Sequence, residues 1–482
     1  MKNPWTKRIG AIIFIGVSIL GLANCAGGAR AERQPGQFIA NSYDVVIIGA
    51  GGAGLSAAIA AKQAGATVAI FEKMPYPGGN TALAGGGINA AGTAIQEQAG
   101  IRDNADLFFS DTMTGGYNRN DPTLVWNLAE KSAASLNWLL SLGADLWELG
   151  RTAGTSVDRT HRPRSGGKAG PEIVQVLEKQ AETILGIPLI TQARATKIIM
   201  IEGRAAGIEV AYQNTTRTVL ANKGIVLATG GFGANSDLYT SLVPSLRSFA
   251  TANHRGATGE GIALAENIGA ALVDMDQIQI NPTYSPGKAL IADAVRGIGA
   301  ILINSRGSRF VDELGTPEAV SHAILAEEGG SAFLFFDDAI RKSLAIIEEY
   351  VISGCVIEGA TVPDLATAIS ADPATLAATV TAYNQGVALQ RDAEFARADL
   401  PRPILIGPYY AIPVIPAVQH TMGGVRINAD AQVISTDGSP IPGLYAAGEV
   451  TGGIHGGNQL EGNGLADSLT YGRIAGANAA KN

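Results

Sequence analysis

The sequence predicts an α/β fold: a parallel-sheet unit assembled from two separated stretches of chain, with a smaller α+β unit inserted between them. Three observations carry this. The stretch Tyr43–Phe71 reads as strand, glycine turn, helix and strand. A second buried strand, Gly224–Ala228, runs into Gly230-Gly231, and the tail from about Thr421 is glycine-rich again. Between about 277 and 420, prolines are more frequent and helix and strand alternate in shorter units.

The first unit is the most specific. Asp44 to Ile48 is a nearly continuous, β-branched apolar run, the pattern of a strand buried on both faces. Gly49-Ala50-Gly51-Gly52-Ala53-Gly54 then fits G-x-G-x-x-G. The alanine-rich Leu55–Ala64 predicts a helix stopped by Gly65, and Thr67–Phe71 predicts a second strand ending at Glu72. The first glycine makes the tight turn, the second admits a pyrophosphate to the helix N-terminus, and the third allows close helix–strand packing. Glu72 stands where an acid accepts a ribose 2′-hydroxyl. Together these features predict dinucleotide binding.

The chain has 482 residues, enough for two substantial cores. A net charge of −8, with no Lys/Arg run beyond the N-terminus, argues against a nucleic-acid partner. The two cysteines, Cys25 and Cys355, and the scattered histidines show no metal, haem or iron–sulfur spacing.

Lys2, Lys7 and Arg8 precede the apolar run Ile9–Ala23, too short to span a membrane and suited to a signal peptide over 1–25. Leu22-Ala23-Asn24-Cys25 is similar to a lipobox, so an exported, periplasmic or lipid-anchored protein is expected, with ordinary cleavage nearby as the alternative. Residues 26–41 read as a tether, and 42–276 and 421–482 as the two parts of the nucleotide unit around the insert at 277–420.

Along the first part, Pro77–Thr81 and Ala84–Ala90 crowd glycines where backbone passes close to a flat ligand. Residues 103–149 read as helical, with Asp121-Pro122 a helix start and Trp126, Leu128, Leu136, Trp138, Leu139 and Leu142 as core. His161–Arg164 form a polar loop before a helix over Pro171–Ile184. Lys197–Ile201, Ala205–Tyr212 and Thr216–Ala221 predict a β-meander separate from the strand at Gly224. Asn253–Gly261 opens a helix through Ile268, and Thr316-Pro317 resembles a helix cap.

In order, GAGGAG, PGGNTALAGGGINA, HRP, ATGGFG, NHRGATGEG, AVRGIGAILIN, HTMGG, GLYAAGEVTGG and the final GN-x-L resemble the flavoproteins of fumarate reductases and succinate dehydrogenases, above all the soluble exported fumarate and urocanate reductases. The resemblance covers about 42–480. It implies a Rossmann-type FAD-binding domain with an inserted clamp (capping) domain, and reduction of an activated alkene by hydride from flavin N5. It places the FAD pyrophosphate at Gly49, Gly51, Gly52, Ala53 and Gly54, and the ribose on Glu72. Asn80, Thr81, Gly86 and Gly87 would line the ribityl chain and isoalloxazine. Glu449, Gly464 and Leu465 would close from the tail, and Lys73, Thr229, Gly230 and Thr421 complete the cofactor set. Asn80 stands where membrane-bound relatives attach FAD through a histidine, so the flavin is expected to be non-covalent.

Asp293 and Arg296 match the acid and arginine of the family's proton relay, and His420 matches its substrate histidine. Three positions depart. The proton-donating arginine is replaced by Pro317, a carboxylate-binding arginine by Gln459, and a histidine by Asn281; Glu461 stands where the family has glycine. Losing two charge-assisted contacts costs roughly 3–6 kcal/mol of carboxylate binding, on the order of 100- to 10,000-fold. A neutral or cationic substrate is therefore expected, contacted by Asn281, His420 and Gln459, with Tyr284 or Arg255 as reserve proton donors. The alternatives are a dehydrogenase running the reverse CH–CH oxidation and a non-catalytic flavin electron-transfer protein. No electron source is visible in the chain, which implies an external donor: a cytochrome, a flavin carrier or a quinol-linked protein.

Overall fold

The computed structural model describes residues 39–152 and 154–481. The signal peptide expected over 1–25, and the tether up to 38, lie outside the described residues. No described helix is long and apolar enough to cross a membrane.

Strand β1 (Ser42–Ile48) leads through the glycine turn into helix α1 (Gly52–Gln63) and strand β2 (Val68–Phe71). β1 is parallel to β2, with Val45 opposite Val68 and Ile48 opposite Phe71. Both strands are buried because their side chains meet apolar layers on both faces. Gly49 adopts φ +102°, and a Cβ there would stand 2.3 Å from the Ala228 carbonyl oxygen. The turn can be this tight only without side chains.

The long stretch expected to be helical breaks in two. One helix covers Ala105–Gly115 and the second, α2, covers Pro122–Ser141, capped by Asp121, whose carboxylate accepts from Thr123 N at 2.9 Å. Leu128, Leu136 and Leu139 are buried, whereas Trp126, expected in the core, is exposed and packs edge-on against Phe109. Strand β3 (Thr160–Arg162) precedes helix α3 (Ala169–Glu178), which widens into a π-type turn over Lys179–Ile184.

Strands β4 (Arg194–Ile201), β5 (Arg204–Tyr212) and β6 (Thr215–Leu227) form the expected meander, with one correction. Its third strand and the strand at Gly224 are one element. Asn222-Lys223 reads as a break in sequence, but a register irregularity opposite Tyr43 and Val45 absorbs it, and Lys223 Nζ donates to the Ala480 carbonyl. The helix expected from Asn253 is likewise shorter, Glu260–Glu266, preceded by Gly259 at φ +78°. Residues 253–259 remain loop.

A second, mixed sheet is built on β7 (Ile278–Ser285), β8 (Ile301–Ile303), β9 (Ala332–Asp337) and β10 (Tyr409–Thr421), with the short helix α4 (Asp293–Gly297) and α5 (Pro317–Ala326) among them. Thr316 caps α5 by accepting from Ala319 N at 3.2 Å, with Pro317 at the first helical position. This sheet has its own hydrophobic core, running from Ala289 to Val414. The first core spans Ile39–Ile280 and resumes at Val418. The chain then returns to the first sheet through β11 (Pro440–Ala446), parallel to β6, and ends on helix α6 (Asn463–Ala479). α6 packs along α1 so closely that a Cβ on Gly476 would stand 2.0 Å from the Ala57 carbonyl oxygen.

Candidate active site

One cavity of about 1580 Å³ runs between the two sheets, from the glycine turn after β1 to the loop before α6. Of the residues expected to hold a cofactor, Gly49, Gly51, Gly52, Ala53, Glu72, Lys73, Asn80, Thr81, Gly86, Gly87, Thr229, Gly230, Glu449, Gly464 and Leu465 line it. Two expected residues do not. Gly54 faces the turn, where a Cβ would meet the Gly49 carbonyl oxygen at 1.9 Å, and buried Thr421 lies behind Glu449, to which its amide donates at 3.1 Å. Both shape the wall from outside.

The side chains at the first end are held in place. Glu72 accepts from Ala50 N and Met74 N, each at 2.8 Å, and burial pushes its carboxyl above the ordinary range. Lys73 Nζ donates to Thr258 Oγ1 at 2.7 Å and pairs with Glu260 at 3.3 Å. Asn80 joins three segments: its amide donates to Asn253 and Glu449, each at 2.7 Å, and its oxygen accepts from His254 N at 2.8 Å. Asn253 and His254 open the NHRGATGEG stretch, which reads in sequence as a landmark and a helix start with no site role for either residue.

The residues fit a dinucleotide with an attached flat ring. Part of the cavity wall is bare backbone, since glycines stand at 49, 51, 52, 85, 86 and 87. Thr229 Oγ1 is buried beside it without a hydrogen-bond partner among the described residues. The N-termini of both α1 and α6 open onto the cavity.

The second end gathers Asn281, Asp293, Arg296, Pro317, His420, Gln459 and Glu461. Asn281 Oδ1 accepts from Thr283 N at 2.8 Å, so it also shapes its own strand. Arg296 is committed. It bonds Asp293 closely and donates from Nη1 to the Glu313 carbonyl at 2.7 Å. Asp293 itself is half open. His420 Nδ1 lies 3.6 Å from Glu449, and its ring meets His455 edge-on; burial holds this imidazole below its ordinary pKa. A Cβ on Gly464 would meet Gln459 Nε2 at 2.1 Å and His420 Cε1 at 3.8 Å, so these two side chains converge over one bare backbone position. Arg162, from the HRP stretch that reads only as a landmark and a polar loop, and Tyr350, from a helix that carries no site signal in sequence, also reach this end.

The HRP histidine is structural. His161 is fully buried and lies 3.0 Å from Thr93 Oγ1. Burial depresses its pKa from 6.5 to about 4. Below pH 6.5 the unfolded chain takes up a proton that the folded chain refuses until about pH 4. Stability is expected to fall over that window as pH drops, by about 3 kcal/mol in all, with no such loss above it. Urea titrations at stepped pH check this, and His161→Gln should flatten the slope.

The FAD binding domain family model matches residues 44–465. The chain is 44% identical over 456 residues to a fumarate reductase (cytochrome) of Shewanella frigidimarina, covering 94% of this chain and 80% of that protein. An open-conformation flavocytochrome c3 fumarate reductase superposes with a TM-score of 0.85 at 42% identity, over 92% of this chain and 78% of that one. The 3-ketosteroid-Δ4-(5α)-dehydrogenase of Rhodococcus jostii RHA1, in complex with 4-androstene-3,17-dione, superposes with a TM-score of 0.68 at 28% identity, over 92% of this chain and 98% of that one.

Proposed function

Because the chain belongs to the FAD binding domain family that contains the fumarate reductase flavoproteins, and is thereby an FAD-dependent oxidoreductase acting on CH–CH groups, we propose that it reduces an activated carbon–carbon double bond in a substrate without carboxylates. The observation that carries this is the substrate end of the cavity. Gln459, Asn281 and Pro317 all line it, and Glu461 adds a carboxyl. The guanidinium of Arg296 is bound to Asp293 and the Glu313 carbonyl. A dicarboxylate entering here would lose its hydration while Arg296 is already engaged and the Arg162 guanidinium faces the carboxyl of Glu461, so the several kcal/mol of desolvation are only partly offset. A neutral enone loses far less. The steroid-bound relative, whose ligand is an uncharged enone, supports a neutral occupant for this fold.

The glycine wall and Glu72 would hold FAD, which when bound would supply hydride chemistry. Asn80 and Glu449 would fix the wall opposite the substrate, and His420 and Gln459 would orient the polar group that activates the alkene. The cofactor is held without a covalent bond, since Asn80 offers no nucleophile. The protein is exported, with Cys25 as its lipid-anchor site, and takes electrons from an external cytochrome, flavin carrier or quinol-linked protein.

Stopped-flow reoxidation of photoreduced protein tests the reading. Cyclic enones are expected to reoxidise the flavin at least about 100-fold faster than fumarate, the lower bound of the affinity lost with two arginines. Equal or faster reoxidation by fumarate would sink it.

A further inference from the structure

Glu461 belongs to the loop between β11 and α6. Its Oε1 stands 2.6 Å from where a Cβ on Gly86 would be, so its carboxyl lies against the bare backbone expected to back the isoalloxazine. The side chain is solvent-accessible and opens into the cavity, which it lines together with Asn281, His420 and Gln459. Three ionisable groups face it from three other elements: Arg162 of β3, Asp293 of α4, and Tyr350 of the helix Ile346–Ile352.

Of the proton carriers at this end, most are otherwise engaged. Pro317 carries no proton. Arg296 is bound to Asp293 and the Glu313 carbonyl. Tyr350 accepts from Ala292 N at 2.9 Å, and burial makes it hold its own proton more tightly than usual. Burial holds the His420 imidazole below its ordinary pKa, which disfavours its cationic, acidic form. A carboxyl at 461 is the group with an exchangeable proton, an open path to the cavity and a second carboxyl, Asp293, to feed it.

Building on the reading of a neutral alkene substrate, we propose that Glu461 is the acid that completes the reduction, in place of an arginine at position 317. With hydride added to one alkene carbon, the π pair moves to the other carbon. That pair takes the Glu461 proton: the carboxyl O–H bond breaks, the second C–H bond forms, and Glu461 is left as a carboxylate facing Arg162. Asp293, half open, passes the next proton in from water.

Environment favours the acid form between turnovers. Burial, followed by the like charge of Asp293, raises the Glu461 pKa, and Arg162 pulls against them. The rate must therefore fall as pH rises through that raised value.

The test uses the FAD-loaded full chain, photoreduced and mixed with cyclohexenone across a pH series. The wild type is expected to slow about tenfold per pH unit above the Glu461 pKa. Glu461→Gln should be slower by about 10²–10⁴ and lose that slope, while Glu461→Asp recovers part of both. Bound FAD and its absorbance spectrum should stay unchanged. Infrared spectra across the same pH series give a readout independent of turnover: a protonated-carboxyl carbonyl band that fades as pH rises, over the range where the rate falls, is expected in the wild type and absent from Glu461→Gln. A Glu461→Gln rate close to that of the wild type, a retained slope, or no lost band overturns the proposal. A wild type oxidised by no alkene at all overturns instead the reading beneath it.

Discussion

A variant carrying Pro317→Arg, Gln459→Arg and Glu461→Gly is expected to gain at least about 10³-fold in kcat/KM for fumarate. The estimate has two parts. One charge-assisted arginine–carboxylate contact contributes about 1.5–3 kcal/mol, roughly 10- to 150-fold in dicarboxylate affinity. A positioned acid adds about 10²–10⁴ in rate. Glu461→Gly belongs in the set because a carboxyl two residues from position 459 would otherwise capture the new guanidinium. The fold should accept all three changes. Position 317 is the first of its helix, where the proline's missing N–H costs nothing and other residues fit. Stopped-flow reoxidation by fumarate measures the gain, with bound flavin as the control. An increase below about tenfold, with flavin intact, would show that something other than missing cations shapes this pocket.

The second large effect is on stability. Glu313 is fully buried and takes both nitrogens of an Arg309 fork at 2.9 Å, together with Arg397 Nη1 at 3.1 Å and Leu302 N at 3.1 Å. Arg309 also reaches Asp392 at 2.9 Å, and Arg397 holds the carbonyls of Arg296 and Ala300. Glu313→Ala strands Arg397 without a carboxylate in a water-poor interior, and should cost about 3–5 kcal/mol, a large part of what a domain has. The carbonyl of residue 313 still accepts from Arg296, so the expected signature is a lower urea midpoint with the flavin site initially intact. A loss below about 1 kcal/mol would mean that water reaches the cluster.

The parts of the fold legible in sequence are those where one physical constraint acts locally. Val45–Ile48 reads as a two-face buried strand because no polar residue interrupts it. Gly49, Gly51 and Gly54 read as a turn because a Cβ at the first or third would strike backbone. The failures come where tertiary context overrides the local signal. Asn222-Lys223 looks like a break, yet a partner strand with an irregular register carries β6 through it. Asn253–Thr258 looks like a helix start, yet its groups are spent on Asn80 and Lys73.

The cavity divides in the same way. At its first end the wall includes stretches of bare backbone, and the glycines that permit this are visible as letters. The substrate end is made by side chains from separate elements. Glu461, Arg162, Asp293 and Tyr350 share no periodicity or spacing, so nothing in the sequence pairs them. The departures at Pro317, Gln459 and Asn281 were legible only against a family pattern. The commitment of Arg296 to the Glu313 carbonyl could be seen only in three dimensions.

The close seam between α1 and α6 has a bearing on how the protein is made. These helices lie roughly 400 residues apart, and closing so long a loop costs on the order of 5 kcal/mol of chain entropy. The wall at Gly464 and Leu465 does not exist until α6 has docked on α1. During ribosomal synthesis the glycine turn emerges roughly 400 residues before the helix that shuts the far side. Until that helix has emerged the chain has half a binding site. FAD touching both halves would then act as a clasp between two distant stretches of chain, so that flavin supply and successful folding are one equilibrium.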